Sequence, residues 1–215
     1  MEKIVSKTDN PNSTKGILME TAISLIWNSS YSNVGVAEIC KQSGVTKGGF
    51  YHHFESKADL FYEASVFYWQ RMKEKLDEIF AESKNPENKL ENLINYIIFK
   101  QEENQTSENC NPVSGCPFFT AGSQIGTSEE KVRLAAQEMS DKAVSYNVGL
   151  VKDLARNEMV SGKIEEAEQT GRMLYQYVMG LLIYGRVHRS LDVVKQDLRT
   201  AIYRIIELKN EYRKD

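Results

Sequence analysis

The sequence predicts an all-α protein of about nine helices, and three observations support that prediction. Apolar residues recur at three- and four-residue spacing through most of the chain, as in helices that bury one face. Helix-capping and helix-ending residues separate these segments, and no stretch alternates apolar and polar residues as a half-buried strand does. The 215 residues, 41% of them hydrophobic, are enough to bury a core of ordinary size.

Nine segments carry the helical pattern, the first four of them closely spaced after a polar arm at residues 1–12. Proline, glycine and clusters of small polar residues mark the breaks between them. The predicted helices run from Ser13 to the SSYSN break, Val36 to about Ser43, Thr46 to about His53, Ser56 to about Glu82, Lys89 to Glu103, onward from about Pro117, Ser128 to Asn157, Glu165 to Arg189, and Asp192 to Arg213.

Local chemistry justifies the ends of the first helices. Ser13 can cap the first helix with its hydroxyl, and Thr46 can do the same for the third. Gly44 stands directly after the second helix, where the chain commonly takes a positive φ. Ser56 and Asp59 have the spacing of a capping box, which predicts the start of the fourth helix.

Composition limits the functional classes. The formal net charge is −3, and residues 1–62 hold six lysines, no arginine and six acidic residues, so the chain is not a general nucleic-acid coat. No apolar run approaches the roughly 20 residues of a membrane-spanning helix, and the N-terminus lacks a secretory signal. Three cysteines do not make a disulfide framework. We therefore expect a cytoplasmic protein without a membrane partner, cofactor or metal.

The stretch Gly35–Phe54, "GVAEICKQSGVTKGGFYHHF", has the pattern of a helix-turn-helix motif. The second helix of such a motif enters the major groove with its N-terminus first. Phe50 and Phe54 lie four residues apart and are predicted to face the core. The residues left to face outward are Thr46, Lys47, Gly48, Tyr51 and His52, and Lys57 follows in the first turn of the next helix. Taken singly, the same residues also fit an aromatic core cluster beside an ordinary loop.

The two glycines of this motif, Gly48 and Gly49, carry a cost of roughly 1 kcal/mol each in a helix relative to alanine. That cost is reasonable where the backbone must approach another group closely. We therefore expect both glycines to lie against DNA.

The segment "GVTKGGFYHHFESKADLF" resembles the recognition helix and the start of the fourth helix of TetR-type transcriptional repressors, and "VAEICKQS" resembles their preceding helix. The resemblance is close over residues 14–65. It implies a DNA-binding domain at 13–60, with the motif at 35–54, and an effector-binding and dimerisation domain at 61–215. The implied DNA contacts are Val36, Ala37, Thr46, Lys47, Gly48, Gly49, Tyr51, His52 and Lys57; the first two are apolar where polar residues often touch phosphate.

The same resemblance implies a homodimer formed through the last two helices, which binds double-stranded operator DNA of near-palindromic sequence. The segment 173–187, "MLYQYVMGLLIYGRV", is apolar nearly all round, and Gly180 and Gly185 permit close helix approach. The central helix of a monomer would show a similar pattern. An unidentified effector would occupy the larger domain, and the candidate pocket residues, each of which also fits a plain core, are Tyr96, Phe99, Phe118, Phe119, Met139, Tyr146, Tyr175 and Met179.

The cysteines are predicted to differ in role. Cys40 fits a buried filler. Cys116 precedes Pro117, which favours the first position of a helix, so its sulfur would lie at the positive end of the helix dipole, where thiolates form readily. "SGCPFF" also resembles the cysteine segment of TetR-type repressors that respond to N-ethylmaleimide and other electrophiles. That resemblance implies a sensing thiol at Cys116 and Arg186 at the position of a lysine in that branch. Our own hypothesis adds Cys110 as a resolving partner if Cys116 is oxidised or alkylated.

Three functional classes remain open on the sequence alone. The first is a DNA-binding regulator, most simply a repressor released by a small molecule or by modification of Cys116. The second is a small thiol enzyme that uses Cys116, although no histidine or acid stands at a convincing spacing. The third is a helical adaptor that binds protein partners. Only the first uses Lys47 to Lys57.

Overall fold

The computed structural model describes residues 10–103, 112–124 and 129–214, and these residues form nine α-helices. The all-α prediction is therefore confirmed. A single isolated bridge, between Val160 and Leu208, is the extended pairing found in the described part. The helices are α1 Thr14–Asn28, α2 Val36–Ser43, α3 Lys47–His53, α4 Lys57–Ile79, α5 Pro86–Glu103, α6 Pro117–Gln124, α7 Glu130–Arg156, α8 Ala167–Val187 and α9 Leu191–Ile205.

The predicted caps explain where the N-terminal helices begin. The Ser13 hydroxyl accepts a hydrogen bond of 3.0 Å from the Gly16 N–H, and Thr46 Oγ1 accepts one of 3.1 Å from Gly49. Ser56 Oγ likewise accepts from the Asp59 N–H. Gly44 ends α2 with a φ of 69°, the left-handed conformation that glycine adopts without a steric penalty.

The chain divides into two compact units. The first comprises Met1–Arg71 and Pro117–Gln137, and the second comprises Met72–Cys116 and Glu138–Asp215. The unit that contains the helix-turn-helix motif is thus larger than the predicted domain at 13–60, because it includes α6 and the first turns of α7. The assignment of DNA binding to 13–60 and of effector binding to 61–215 stays a prediction.

In the first unit, α1 packs against α2, α3 and α6 around an apolar core. Phe118 of α6 is fully buried there, with its ring 5.3 Å from that of Phe61 and 5.5 Å from that of Tyr68. The other large side chains that are fully buried in this unit are Leu18, Met19, Ile39, Phe50, Phe54 and Leu60. This core holds α2 and α3 in place.

In the second unit, α8 packs along α9, and α5 packs against α9. Gly185 makes the first contact close, because a Cβ there would lie 2.6 Å from Val194 Cγ2. A buried polar cluster joins α5 to α9: Glu91 accepts hydrogen bonds from Arg199 and from the Tyr203 hydroxyl. Buried carboxylates are stable only with such partners.

The prediction that α9 continues to Arg213 is wrong, because the helix ends at Ile205. Glu207 takes a φ of 54°, which stops the helix. The following residues pair with the α7–α8 connection: the Ser161 N–H donates to Glu207 O, and the Lys209 N–H donates to Met159 O, both at 3.0 Å. This pairing supplies the backbone hydrogen bonds that further helix would have made.

Smaller differences concern other helix ends. α4 stops at Ile79 instead of Glu82, and α5 begins at Pro86, a residue that suits the first helical position. None of the described helices is both long and apolar enough to cross a bilayer.

Candidate nucleic-acid interface and effector region

α3 buries one face and leaves the opposite face open. Phe50 is fully buried and Phe54, directly after the helix, is 1% exposed, so both aromatic rings lie in the core of the first unit as the helical phase predicts. Tyr51 is 58% exposed. The other residues predicted to face outward, namely Thr46, Lys47, Gly48 and His52, are also exposed. The structure thus brings these five residues onto one short surface, the α3 face.

The two glycines of α3 differ in their surroundings. A Cβ at Gly49 would lie 2.9 Å from Val45 Cγ1, so Gly49 leaves room for the turn residue that packs under the helix. A Cβ at Gly48 would meet no atom closer than Thr46 Oγ1, at 3.9 Å. The absence of a side chain at Gly49 is therefore explained by packing within the chain, whereas Gly48 has no such internal reason.

Val36 and Ala37 form the first turn of α2. Val36 is half-buried and Ala37 is exposed. Gly35 precedes them as the N-cap and provides no side-chain hydrogen bond to the helix. The first N–H groups of α2 consequently lack a side-chain acceptor from the capping residue. The adjacent side chains of Val36 and Ala37 are apolar and offer no hydrogen-bond donor.

Lys57 lies in surroundings that the sequence did not predict. Its ammonium donates to the carbonyls of Tyr31, at 2.8 Å, and of Val34, at 3.1 Å, and lies 4.0 Å from the centre of the Tyr31 ring. Burial lowers the pKa of Lys57, and the charge of Glu129 partly opposes that shift. Two of its three donors are thus directed at the turn between α1 and α2. The prediction that Lys57 binds phosphate stays untested, but its main partners are internal.

Tyr31 and Glu129 were missed by the sequence reasoning. The buried Tyr31 hydroxyl donates to Glu129 Oε2, although the residues are 98 positions apart. Burial and that hydrogen bond raise the pKa of Tyr31. The helix pattern contains no signal for this pair, because it crosses from the α1–α2 turn to the start of α7.

The thiol region lies in the second unit, at the end of its segment Met72–Cys116. Cys116 is half-buried and directly precedes α6, which begins at Pro117 as predicted. The preceding loop is held at two points: Arg186 Nη1 donates to Ser114 O at 2.6 Å, and the Gly115 N–H donates to Gln101 Oε1 at 3.0 Å. Arg186 therefore acts on the loop backbone near Cys116. Cys110 lies outside the described residues, and Cys40 is buried at 6% exposure, as predicted.

The predicted pocket residues do not share one environment. Phe118 belongs to the core of the first unit, with Phe119 half-buried beside it in the chain, whereas Phe99 of the second unit is 54% exposed. Burial raises the pKa of Tyr96 to about 12. The remaining four belong to the second unit: Met139 is buried, Tyr146 donates to Asp77, Tyr175 lies 2.9 Å from Ser140 Oγ, and Met179 is half-buried.

Tyr175 has one further property that bears on the thiol. Burial raises its pKa, and the charge of Cys116 acts in the same direction. The phenol and the thiol are thus close enough to influence each other within the second unit. No group of three metal-ligand side chains occurs in the described ranges 10–103, 112–124 and 129–214.

α8 carries an exposed apolar stripe. Met173 is 45%, Tyr184 52% and Val187 73% exposed, and Tyr177 and Gly180 lie between them at alternating spacings of four and three residues. This spacing is that of the contact seam between two packed helices. A Cβ at Gly180 would meet no atom within 4 Å, so no packing within the chain requires glycine there. We call these five residues the α8 stripe.

The model of the bacterial regulatory proteins of the tetR family matches residues 18–64, which include α2, α3 and the start of α4. The transcriptional regulator AcrR of Shigella flexneri is 31% identical over 97 residues. The transcriptional repressor NemR of Escherichia coli K12 is 22% identical over 188 residues, which cover 86% of this chain and 90% of NemR. Residues 18–64 of this chain are therefore a tetR-family region.

Solved structures agree with this assignment at the level of the fold. The crystal structure of reduced E. coli NemR is 20% identical, with a TM-score of 0.73 over 92% of this chain and all of that one. A TetR-family regulator from Agrobacterium tumefaciens, also 20% identical, has a TM-score of 0.77 over 91% of this chain and 98% of its own. The chain therefore shares the helical fold of these structures.

The match to AcrR covers 44% of this chain and only 43% of AcrR, so the chain spans less than half of that relative. The matched relatives are named as regulators, which argues against the interpretation as a thiol enzyme.

Proposed function

We propose that the protein is a dimeric repressor that binds near-palindromic operator DNA through α3 and leaves it when an effector acts on the second unit. The α3 face supports DNA binding through α3, because it places exposed groups that suit DNA at the start of the helix. The buried rings of Phe50 and Phe54 hold the opposite side of the helix in the core. A regulator of this kind works in the cytoplasm, where its operator is.

The contact residues we assign are those of the α3 face, with Gly49 behind Gly48, and with Val36 and Ala37 at the start of α2. Lys47 is the cation of the α3 face, and Tyr51 and His52 are able to reach phosphate or base edges. The free N–H groups of α2 suit a phosphate, since the side chains beside them do not block its approach. Lys57 supports this surface from behind through the Tyr31 and Val34 carbonyls.

The test is binding to the DNA directly upstream of the protein's own coding region, followed by fluorescence anisotropy. Lys47→Ala and Tyr51→Ala should each weaken specific binding by roughly tenfold, whereas Lys163→Ala, an exposed lysine of the other unit, should not. Few cations line the surface, so DNA affinity should fall gently with salt. The slope of log affinity against log salt concentration should be about −0.9 for each phosphate contact. A steep salt slope, or equal binding to unrelated DNA, would contradict this docking.

The dimer is assigned to α8 and α9. The α8 stripe exposes apolar side chains that a monomer would leave in water, at a cost of about 25 cal/mol for each Å². Gly180 at its centre allows a second helix to approach closely. As a two-fold dimer, the protein would read two half-sites of a near-palindromic operator about 34–36 Å apart.

Two effectors fit the second unit. The first is a small molecule that binds among Tyr96, Met139, Tyr146, Tyr175 and Met179. The second is an electrophile with an activated double bond: the Cys116 thiolate adds to the β-carbon, a sulfur–carbon bond forms, and the α-carbon takes up a proton, so that nothing leaves. The second candidate rests on the half-buried position of Cys116 and on its loop, which Arg186 and Gln101 hold.

N-ethylmaleimide distinguishes these effectors. It should release wild-type protein from the upstream DNA, whereas Cys116→Ser should bind DNA normally and no longer respond. Cys40→Ser serves as the control for the buried thiol and should still respond. If Cys116→Ser is released as readily as wild type, Cys116 is a bystander; if wild type itself is not released, the small-molecule effector is favoured.

A further inference from the structure

We propose that Glu129 is a positioning residue for operator binding: through Tyr31 and Lys57 it fixes the turn from which α2 and α3 are presented. The inference rests on the proposed function and adds a residue outside the helix-turn-helix motif to its machinery. All the groups concerned belong to the first unit.

The contacts form a continuous chain. Glu129 Oε2 accepts from the Tyr31 hydroxyl. The carbonyl of the same Tyr31, and that of Val34, accept from the Lys57 ammonium. Val34 stands two residues before α2 begins at Val36. The carboxylate, the phenol and the ammonium thus hold the α1–α2 turn between the first turns of α7 and α4.

Burial makes these contacts specific. Tyr31 is 3% exposed, and its ring packs edge-on against Phe61 at 5.1 Å, so water is a poor substitute partner for its hydroxyl. The Lys57 ammonium lies over the same ring at 4.0 Å. Removal of a partner from such a network leaves a buried polar group unsatisfied, which costs more than the bond itself contributes.

The arrangement makes the position of α2 depend on the start of α7. A second contact joins the same two helices: Lys131 donates to Asp59 Oδ1 at 2.7 Å. That pair is more exposed than Tyr31–Glu129 and leaves the α1–α2 turn untouched, so it joins α7 to α4 without constraining α2. Of these two contacts from α7, the one from Glu129 reaches the turn itself, where Lys57 holds the Tyr31 and Val34 carbonyls.

The experiment compares Glu129→Gln and Glu129→Ala with Glu130→Gln and Glu130→Ala as matched controls. Glu130 is exposed and pairs with Arg133 of its own helix. Two quantities are measured well below the melting temperature of each variant: affinity for the upstream DNA, and amide hydrogen exchange of residues 30–35. We expect Glu129→Ala to lose affinity about tenfold and to exchange faster in the turn, Glu129→Gln to be intermediate, and both controls to match wild type.

A double-mutant cycle tests whether the route runs through Tyr31. Tyr31→Phe should reproduce the affinity loss of Glu129→Ala, and the double variant should be no worse than either single one. Additive losses, or unchanged affinity in folded Glu129→Ala, would overturn the proposal. Should wild type itself fail to bind the DNA, the proposed function is lost, and unchanged exchange at residues 30–35 in Glu129→Ala would then overturn the structural tie independently.

Discussion

α3 contains two glycines and α8 contains three, and in both helices the glycines serve different ends. All but one in each helix accommodate a side chain of their own unit: Gly49 makes room for Val45, Gly171 for Val148 and Gly185 for Val194. The remaining one faces open space, Gly48 on the α3 face and Gly180 on the α8 stripe. Internal packing therefore explains all but one glycine of each helix and leaves that one to an external partner.

The neighbours of the outward glycines indicate different partners. Gly48 lies among Lys47, Tyr51 and His52, which offer charge and hydrogen bonds suited to DNA. Gly180 lies among Met173, Tyr184 and Val187, which offer apolar surface suited to another protein helix. Gly48 and Gly180 look alike in the sequence but thus belong to surfaces of opposite chemistry. Four alanine or leucine substitutions at these glycines and at Gly49 and Gly185 can test the two surfaces separately.

The largest effect is expected for Gly180→Leu. A two-fold interface would receive two added side chains at its closest point, which should weaken dimerisation by at least about 100-fold. Sedimentation across a concentration series measures the change. Gly149→Leu is the matched control, because Gly149 is also exposed, helical and without neighbours within 4 Å of an added Cβ. If the Gly180→Leu protein remains dimeric, the assignment of α8 to the dimer interface is wrong.

Gly185→Ala should destabilise the fold by about 1–3 kcal/mol, because its Cβ would meet Val194 Cγ2 at 2.6 Å and the Ser190 carbonyl at 3.2 Å. Gly149→Ala should instead gain up to about 1 kcal/mol from helix propensity. Urea unfolding at equal protein concentration gives both values, since the stability of a dimer depends on concentration. Equal stability of the two variants would show that α8 and α9 adjust freely.

Gly48→Ala should separate stability from binding. The nearest protein atom to the added methyl group is Thr46 Oγ1 at 3.9 Å, an ordinary contact, so the fold should gain up to about 1 kcal/mol, whereas operator affinity should fall roughly tenfold. Gly49→Ala should show the opposite: the fold should lose a little stability as Val45 shifts, and operator affinity should fall less than in Gly48→Ala. Thermal unfolding and anisotropy on the same samples check both. Unchanged DNA affinity in Gly48→Ala would mean that α3 does not approach DNA at this residue.

The smallest effect concerns acid. Burial acts to raise the pKa of Asp59, but hydrogen bonds from Lys131 and from the Glu55 N–H prevail and hold that pKa below its ordinary value of 3.8. The resulting stabilisation is complete above that ordinary value and disappears as pH falls through the lower folded pKa. Asp59→Asn should therefore be less stable than wild type at pH 6, by less than about 1 kcal/mol, and the difference should shrink toward pH 3. A difference independent of pH would exclude the carboxylate charge as its cause.

Local chemistry made the N-terminal helices predictable. Ser13, Gly44 and Thr46 act within three residues of themselves, and each does what its side chain or its lack of one predicts. Features that depend on distant partners were not predictable. The sequence around Glu207 does not predict that α9 ends there and that the following residues pair with residues 159–161. The hydrogen bond between Tyr31 and Glu129 spans 98 positions, and a helical period contains no record of such a pair.

The same limit applies to the site. The exposed residues of α3 followed from helical phase, because Phe50 and Phe54 fix which side is inward. The role of Lys57 did not follow, since the carbonyls that accept from it come from the preceding turn. The two glycines of α3 were expected to act alike, and only the position of Val45 distinguishes them.

The α8 stripe has a consequence for how such regulators stay separate from one another. In a two-fold assembly each residue of the stripe occurs twice, so a substitution that costs roughly 0.7 kcal/mol on one side costs about 1.4 kcal/mol in the complex, a tenfold change in the dissociation constant. A cell that holds several regulators of this fold could keep them from forming mixed pairs with a few such changes. Val187 and Tyr184, the two most exposed side chains of the stripe, are where that divergence costs the folded chain least.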